Sequence, residues 1–265
     1  MKKQFFIGGV ERSGTTILMR CLGMHKDISD FPRETLFFAY PKGLILVIKG
    51  YISETEFKYN MLNHFYEYVQ GFVDKKSLSD LLDRCFNNKK EDILKKSNLF
   101  ITELFDIYIK KINKKYWIEK SPRNIVYADY LFKIFPNMKF IHIFRDPLDV
   151  CSSHINRKAR NIDEFIEYYN ITMKRAYEAY NNLNKNNYLV VSFEDLIADI
   201  DNKTSLILDF LGVEKYTKYL DDIKNRINPK RSNIGRHKSM FNEKQIQKIT
   251  ENCSDMYELW SSLKK

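Results

Sequence analysis

The start of the chain passes from an apolar run to a polar loop and then to apolar positions with helical spacing. The run Phe5–Ile7 ends at Gly8 and Gly9, and a short polar loop follows. Apolar side chains then recur at positions 17, 18, 21 and 22, as they do on one face of a helix. This pattern predicts a strand, a tight loop and a helix.

Three later segments also have the composition of strands, and helical patterns separate them. The predicted strands are Tyr116–Glu119, Met138–Phe144 and Tyr188–Phe193. Pro122 fits the first position of a helix that runs to about Phe135. Strands that alternate with helices indicate an α/β fold, in which a central parallel sheet carries helices on both faces in a three-layer α/β/α arrangement.

Composition is that of a folded globular chain with a basic surface. The 265 residues include 44% hydrophobic residues, enough to bury a sizeable core. The formal net charge of +10 and the pI near 9.2 favour acidic partners such as nucleotides, anionic glycans or a membrane surface. Lysines scattered among Asn and Ile make compositional bias an alternative explanation. No nucleic-acid-binding signature is present, so we do not expect a nucleic-acid partner.

The cysteines and the N-terminal residues indicate the redox environment and the cellular location to be expected. Cys21, Cys85, Cys151 and Cys253 lie far apart and form no C-x-x-C pair, so we expect reduced core cysteines and no metal site. The chain runs from Met1 almost directly into the first strand, and no stretch reaches about 18 uninterrupted apolar residues. We therefore expect a cytoplasmic protein without a transmembrane segment.

The loop after the first strand has the residue types of an anion site. Unpaired N–H groups and the positive end of the dipole at a helix start attract an anion. Gly14 permits close backbone approach, Arg12 supplies a fork of N–H donors, and hydroxyl groups come from Ser13, Thr15 and Thr16. Gly9 and Gly14 have the spacing of the nucleoside-triphosphate loop. Thr15, however, stands where that loop needs lysine, which weakens a kinase interpretation.

Two further basic residues follow predicted strands. Lys120 directly follows the predicted strand Tyr116–Glu119, and Arg145 directly follows the predicted strand that ends at Phe144. Ligands of open α/β sheets bind at the carboxyl ends of the strands. Both side chains are therefore expected near the loop.

Four segments together resemble the sulfotransferase family that uses 3′-phosphoadenosine 5′-phosphosulfate (PAPS) as donor. Residues 12–16 resemble its 5′-phosphosulfate loop, and residues 144–153 resemble its 3′-phosphate motif. Residues 192–196, followed by Phe-Leu-Gly at 210–212, resemble its Tyr-Glu-Asp-Leu segment, with Phe193 in place of the tyrosine. Residues 230–238 resemble its C-terminal Arg-Lys-Gly segment, with Ser232 in place of glycine.

The resemblance implies which residues bind the donor. Arg145 and Ser153 would hold the 3′-phosphate, with the loop at 230–238 closing over it, and Phe193 would lie on the adenine side. The complete implied donor set is Arg12, Ser13, Gly14, Thr15, Thr16, Arg145, Ser153, Phe193, Lys230, Arg231, Ser232, Gly235, Arg236 and Lys238.

The resemblance also implies a catalytic set. Arg-Ser-Gly-Thr-Thr, followed by His-x-Asp and Glu-Thr, is similar to the tyrosylprotein sulfotransferases and related bacterial enzymes, whose base is a glutamate. By that match Glu34 is the general base, and Lys120 and Arg12 neutralise the charge that develops on the leaving oxygens. The connection that precedes Glu34 is one residue longer than the corresponding connection in the tyrosylprotein sulfotransferases. No metal is required by this chemistry.

The expected organisation is a single sulfotransferase domain over residues 1–265, related to P-loop nucleotide hydrolases. Its helical region at about 36–115 would cover the acceptor side. The acceptor is expected to be a hydroxyl of a carbohydrate, lipid or small molecule, which is favoured over a protein tyrosine; the oligomeric state is open. Two alternatives remain open at this point: a non-catalytic nucleotide-binding regulatory protein and a P-loop kinase.

Overall fold

A five-stranded parallel sheet lies at the centre of the computed structural model, which describes residues 4–31, 34–87, 91–227 and 232–265. The strands are β1 (Gln4–Gly8), β2 (Ile28–Asp30), β3 (Tyr116–Lys120), β4 (Lys139–Phe144) and β5 (Tyr188–Ser192). They are ordered β2-β3-β1-β4-β5. Each neighbouring pair is parallel, so the carboxyl ends of all described strands meet at one edge.

Helices connect and cover the strands. The α-helices are α1 (Thr15–Gly23), α2 (Leu44–Ile48), α3 (Glu54–Asn63), α4 (Tyr66–Val69), α5 (Lys75–Phe86), α6 (Ile93–Lys111), α7 (Ala128–Ile134), α8 (Pro147–Asn156), α9 (Ile162–Asn181), α10 (Phe193–Ala198), α11 (Ile200–Leu211), α12 (Thr217–Arg226) and α13 (Glu243–Leu263). Short 3₁₀ helices cover Pro122–Tyr127, Lys185–Asn187 and Arg236–Ser239.

The sheet is buried on both faces, which explains why its strands are nearly continuous apolar runs. Successive side chains point to opposite faces, so Phe6 packs with Trp117 in one core, whereas Phe5 and Ile7 pack in the other. Helices α2–α9 and α13 contribute to the first core, and α1 and α10–α12 contribute to the second. The predicted three-layer α/β fold with a parallel sheet is confirmed.

An aromatic cluster joins the helical region to the sheet. Phe31 and Trp117 both contact Phe105 of α6, with ring centroids 4.2 and 4.7 Å from it. Phe37 stacks on Phe38, and all five rings are essentially buried. Such contacts add to the stability gained by burying the rings. Since Phe31 precedes and Phe37 follows Glu34, the cluster fixes both ends of the segment that carries this residue.

Two elements are absent from the sequence prediction, and one has a different form. β2 lies in a segment that the sequence pattern predicts to be a connection. Three residues are too few to show alternation, and the strand forms because Ile28 pairs with Tyr116 of β3. The five-residue α2 also escapes periodicity analysis. From Pro122 the chain first forms a 3₁₀ helix and only then α7, so the single helix predicted from Pro122 to Phe135 is wrong in form.

The cysteines, the helices and the possible metal-binding side chains of the described residues can be compared with the expectations from the sequence. All four cysteines are buried and free of disulfide bonds. No described helix combines the length and the apolar character that crossing a membrane requires. Over the same residues, no group of three or more His, Cys, Asp and Glu side chains is placed to hold a metal ion.

His142 on β4 should make the free energy of unfolding depend on pH. Its ring is buried against Trp260, with centroids 4.2 Å apart, and burial lowers the pKa of the imidazole to about 3. Since the unfolded chain binds a proton near pH 6.5, stability should fall by about 1.4 kcal/mol per pH unit below that value. We expect His142→Leu to lower the slope by about this amount, as measured by denaturant unfolding between pH 7 and pH 4. The shares of the buried His25 and His154, whose pKa values burial also lowers, should remain.

The exposed His64 supplies the matched control for this measurement. His64→Leu should leave the wild-type slope in place. An unchanged slope in His142→Leu would contradict the assignment of the slope to the buried ring.

Candidate active site

Gly9 and Gly14 shape the loop between β1 and α1. The N–H of Gly9 donates to the carbonyl of Pro122 at 3.1 Å, and a Cβ at Gly9 would lie 2.3 Å from the carbonyl oxygen of Ile143. Gly14 has a φ of +100°, and a Cβ there would meet the ring of Phe193 at 2.3 Å. Both positions therefore exclude larger residues, for reasons of space at Gly9 and of space and backbone conformation at Gly14.

The sheet order brings the predicted basic residues to the same edge as this loop. β3 and β4 flank β1, so Lys120 at the end of β3 and Arg145 directly after β4 lie on either side of the loop. Phe193 follows β5, the next strand outward. The carboxyl edge thus assembles residues that are more than a hundred positions apart in the chain, as expected for an open α/β sheet.

A cavity of about 530 Å³ opens at this edge; we call it the strand-end cavity. Its volume lies within the range typical of small-molecule sites. Nine of the predicted site residues line it: Arg12, Gly14, Thr15, Thr16, Glu34, Arg145, Ser153, Ser232 and Arg236. The sequence analysis therefore predicts much of its wall.

Cationic groups dominate one side of the strand-end cavity. Arg12, Arg145, Arg157 and Arg236 all line it. Burial lowers the pKa of the Arg12 guanidinium, and the neighbouring charges of Arg157 and Arg145 lower it further. The charges of Glu11 and Glu34 oppose this effect, but the pKa remains below its ordinary value, so a further positive charge is disfavoured at this position. An anion placed among the arginines would offset the effect of Arg157 and Arg145.

Arg12 also connects the two predicted phosphate motifs. Its Nε donates a hydrogen bond to Oγ of Ser153 at 3.0 Å. Ser153 lies on α8, which begins after β4, whereas Arg12 belongs to the loop after β1. The contact places both motifs on one wall.

Arg145 has donor capacity that its neighbours do not use. Its Nη2 donates to the carbonyl of Asn233 at 2.8 Å, and its guanidinium lies 4.6 Å from the ring centroid of Phe193. Its Nε is buried and has no hydrogen-bond partner among the described residues. A buried donor without a partner is costly. The guanidinium as a whole lines the strand-end cavity, where a charge-assisted hydrogen bond to an oxyanion would be strong.

Asp149 ties the segment after residue 231 to α8. Its carboxylate accepts hydrogen bonds from the N–H of Gly235 and from Nδ1 of His237, both at 2.8 Å. Burial raises the pKa of the Asp149 carboxyl, but the bonds from His237 and Gly235 and the charge of Arg145 outweigh it, so the pKa lies below its ordinary value. The ionised carboxylate thereby fixes the wall that contains Ser232 and Arg236.

Glu34 and Lys120 form an ion pair beside the cavity. Nζ of Lys120 donates to Oε1 of Glu34 at 2.5 Å. The Lys120 side chain is 3% exposed and that of Glu34 is 34% exposed. The structure thus brings together the two residues for which the resemblance implies a base and a charge stabiliser, and it leaves the carboxylate accessible from the cavity.

A buried carboxylate, that of Glu119, holds the residues next to this pair. It accepts hydrogen bonds from the hydroxyls of Thr35 and Ser121 at 2.7 and 2.8 Å, and Asn124 donates a third. Burial raises the pKa of the Glu119 carboxyl, and these hydrogen bonds oppose the rise. Because Thr35 follows Glu34 and Ser121 follows Lys120, Glu119 fixes the backbone on both sides of the ion pair.

Other predicted residues lie outside the cavity wall. Ser13 is buried beneath the loop, and Phe193 is buried between Gly14 and Arg145. Gly235 is bonded to Asp149, and Lys238 is exposed. Lys230 and Arg231 lie outside the described residues. The donor contacts implied for these residues stay predictions.

The cavity wall also contains residues that the sequence analysis did not select. Arg157 follows Ser153 by four positions, so the helical period was a usable signal for it. Tyr40 enters the wall beside Glu34 through the packing of the helical region, for which no motif exists. Nε2 of the buried His154 donates to the carbonyl of Glu11 at 3.2 Å, and burial lowers the pKa of the imidazole.

A second cavity continues from the first, and we call it the adjoining cavity. It measures about 480 Å³ and shares Ile17 and Ser232 with the strand-end cavity. Ile197 and Ile227 add apolar surface to it, and Arg20 and Arg226 add charges. The adjoining cavity thus offers apolar surface next to the strand-end cavity.

Comparison with known proteins gives a family match over most of the chain. The model of the sulfotransferase family matches residues 4–218. The nodulation protein NoeE of Sinorhizobium fredii is 25% identical over 158 residues, a stretch that covers 56% of this chain and 30% of that protein. The chain therefore matches less than a third of the length of this curated relative.

Solved structures have the same fold. A sulfotransferase domain from the curacin biosynthetic pathway is 17% identical with a TM-score of 0.54, covering 83% of this chain and 77% of that one. Sulfotransferase STF1 from Mycobacterium tuberculosis is 13% identical with a TM-score of 0.57, covering 96% and 77%. At these identities the likeness concerns the fold.

Removal of the charge on Asp149 should destabilise the protein in a pH-dependent way. Because the folded-state pKa is lowered, the stabilisation is complete above the unfolded value of about 3.9 and is lost as the pH falls through the folded value. We expect Asp149→Asn to lower the free energy of unfolding by about 1.5–3 kcal/mol at pH 7, since hydrogen bonds to a charged group are lost. Denaturant titrations from pH 7 to pH 3 should show the difference shrinking.

Asp163→Asn is the matched control, because the Asp163 side chain is 75% exposed and pairs with Lys248 at the surface. It should change stability by less than about 0.5 kcal/mol at either pH. A difference between wild type and Asp149→Asn that persists undiminished at pH 3 would rule out the charge as its source.

Proposed function

Because the chain belongs to the sulfotransferase family, we propose that it transfers a sulfuryl group from PAPS to a hydroxyl group of an acceptor. The family predicted from the sequence is confirmed, and it favours transfer over the kinase alternative. The observation that carries the proposal is the strand-end cavity, where four arginines and the loop before α1 adjoin the Glu34–Lys120 pair. This arrangement suits an anionic donor next to a base.

The donor fits the two connected cavities. The loop hydroxyls and N–H groups at Thr15 and Thr16 would hold the 5′-phosphosulfate, as helix starts hold anions. Arg145 and Ser153, which both line the strand-end cavity, would hold the 3′-phosphate. The adenosine portion would extend into the adjoining cavity, where Ile17 and neighbouring isoleucines offer an apolar surface.

The transfer step needs a base, a positioned donor and cations. Glu34 accepts the proton of the acceptor hydroxyl while the oxygen of that hydroxyl attacks the sulfur of PAPS. The bond between sulfur and the bridging phosphate oxygen breaks, which yields a sulfate ester and 3′-phosphoadenosine 5′-phosphate (PAP). Lys120 and Arg12 neutralise the charge that develops on the transferred and leaving oxygens, so the reaction depends on positioning and electrostatics.

The product nucleotide provides a direct test of the donor site. PAP at 100 times its Kd adds about 2.7 kcal/mol of stability, which should raise the Tm by about 5 °C or more. AMP lacks the 3′-phosphate and ATP lacks a group at that position, so both should shift the Tm less. Arg145→Gln should weaken PAP binding by about 10-fold or more, because a charge-assisted hydrogen-bond partner is lost.

Arg84→Gln, at an exposed position on α5, is the matched control and should bind PAP like the wild type. Equal shifts with PAP and ATP in the wild type would contradict a donor site for PAPS and would favour a kinase.

Glu34 can be tested separately from donor binding. Glu34→Gln keeps the size of the side chain but cannot accept the proton, so we expect transfer to slow by about 10²–10⁴-fold. The affinity for PAP should not change. The measurement is radiolabel transfer from PAPS to a panel of sugars, phenols and aliphatic alcohols, followed for both proteins.

Glu56→Gln, on the exposed face of α3, controls for the loss of one carboxylate. Transfer by Glu34→Gln at the wild-type rate would exclude Glu34 as the base. PAP binding without any transfer by the wild type would favour the regulatory alternative.

A further inference from the structure

A third cavity of about 410 Å³ lies next to the strand-end cavity, and we call it the basic cavity. Its size is within the range of small-molecule sites. Glu11 and Pro122 line both this cavity and the strand-end cavity, so the two share a wall. A molecule in the basic cavity therefore lies beside the site where the proposed donor would react.

The basic cavity carries more positive than negative charge. Four cationic side chains line it: Lys49, Arg123, Arg160 and Arg175. Glu11 is the single carboxylate among its described lining residues. The cavity thus has the charge of a site for an anionic group.

Carboxylates already compensate two of the four cations. Arg160 pairs with Glu11 at 3.3 Å and lies over the ring of Tyr168 at 3.7 Å. Arg175 pairs with Asp129 at 3.1 Å. These two side chains are fixed by protein partners, and their charge is largely balanced.

The other two cations face only aromatic rings within the described part of the chain. Lys49 lies 5.3 Å from the ring centroid of Tyr127, and Arg123 lies 5.3 Å from that of Tyr40. Cation–π contacts leave the charge formally unbalanced and keep the N–H donors available. Lys49 and Arg123 are therefore the groups that an oxyanion would recognise.

Tyr40 links this pair of cations to the proposed chemistry. Its ring contacts Arg123 of the basic cavity, while Tyr40 itself lines the strand-end cavity together with Glu34. Burial raises the pKa of the Tyr40 hydroxyl, and the charges of Glu34 and Glu11 raise it further. The side chain thus stays neutral between the two cavities.

We propose that the basic cavity is the acceptor site and that the acceptor carries an oxyanion group held by Lys49 and Arg123. Val126 and the 62% exposed Ile171 offer apolar surface for the rest of the same molecule. The assignment as acceptor site rests on the proposed sulfuryl transfer. The binding of an anionic ligand by Lys49 and Arg123 does not.

Two probes of matched shape test the proposal. 4-Nitrophenyl β-D-glucuronide and 4-nitrophenyl β-D-glucoside differ by one carboxylate. Each is titrated by calorimetry into protein that has first been titrated to saturation with PAP, which blocks the strand-end cavity to the probe. We expect the glucuronide to bind at least about 10-fold more tightly than the glucoside, because a hydrogen bond to a charged group in a partly buried site contributes about that factor to affinity.

Variants then assign the preference to the two cations. Lys49→Gln and Arg123→Gln should each reduce the preference for the glucuronide by at least about 3-fold, with the affinity for the glucoside unchanged. Lys49→Arg and Arg123→Lys keep the charge and should keep the preference. A purely structural role would instead lower the affinity for the glucoside as well in the glutamine variants, which would contradict the proposal. Lys110→Gln, at an exposed position on α6, is the matched control.

The outcomes separate this inference from the proposed function. Equal affinity for both probes, binding of neither, or a preference that survives in both glutamine variants would overturn the oxyanion site, whatever PAP does. The titrations are repeated with PAP-free protein, and a preference there that depends on Lys49 and Arg123 would support the site even if PAP failed to bind. In that case the proposed transfer would fail and the anion site would stand.

Discussion

The close approach of three strand ends around Gly9 is the constraint on which the site depends. Gly9 donates to the carbonyl after β3 and lies against a carbonyl of β4, at a distance that leaves no space for a Cβ. Any larger residue would separate the strands or displace the loop before α1. Because Lys120 ends β3 and Arg145 follows β4, their distance from the loop is set by backbone contacts. The arrangement of charges therefore follows from sheet geometry and not from the charges themselves.

Two buried carboxylates fix the site from opposite sides. Glu119 binds Thr35 and Ser121, the neighbours of Glu34 and Lys120, and Asp149 binds Gly235 and His237 across the cavity. Each carboxylate satisfies donors in connecting segments and short 3₁₀ helices, which have few hydrogen bonds of their own. Groups that must stabilise developing charge work best when they do not reorganise during the reaction. These two networks provide that rigidity with buried hydrogen bonds.

Local patterns predicted the parts of the site that belong to strand ends, and tertiary packing determined the rest. The loop at residues 9–16 and Arg145 follow apolar runs, so their place at the carboxyl edge could be read from spacing. Glu34 had no such signal, since an acidic residue in a connection is common, and only the resemblance selected it. Tyr40 and β2 depend on contacts between distant segments, which no periodicity in the sequence records.

In the proposed reaction, the position of the Glu34–Lys120 pair would allow the donor and the acceptor to react while they occupy separate cavities. Lys120 is nearly buried, whereas a third of the Glu34 side chain is exposed toward the strand-end cavity, which shares Glu11 and Pro122 with the basic cavity. In the proposed reaction, Glu34 would contact, from within the strand-end cavity, a hydroxyl that extends past Glu11 and Pro122 from the basic cavity. The net charge of +10 includes a local concentration of cations, because four arginines line the strand-end cavity and Lys49 and Arg123 line the basic cavity. Compositional bias alone does not place uncompensated cations at such a junction.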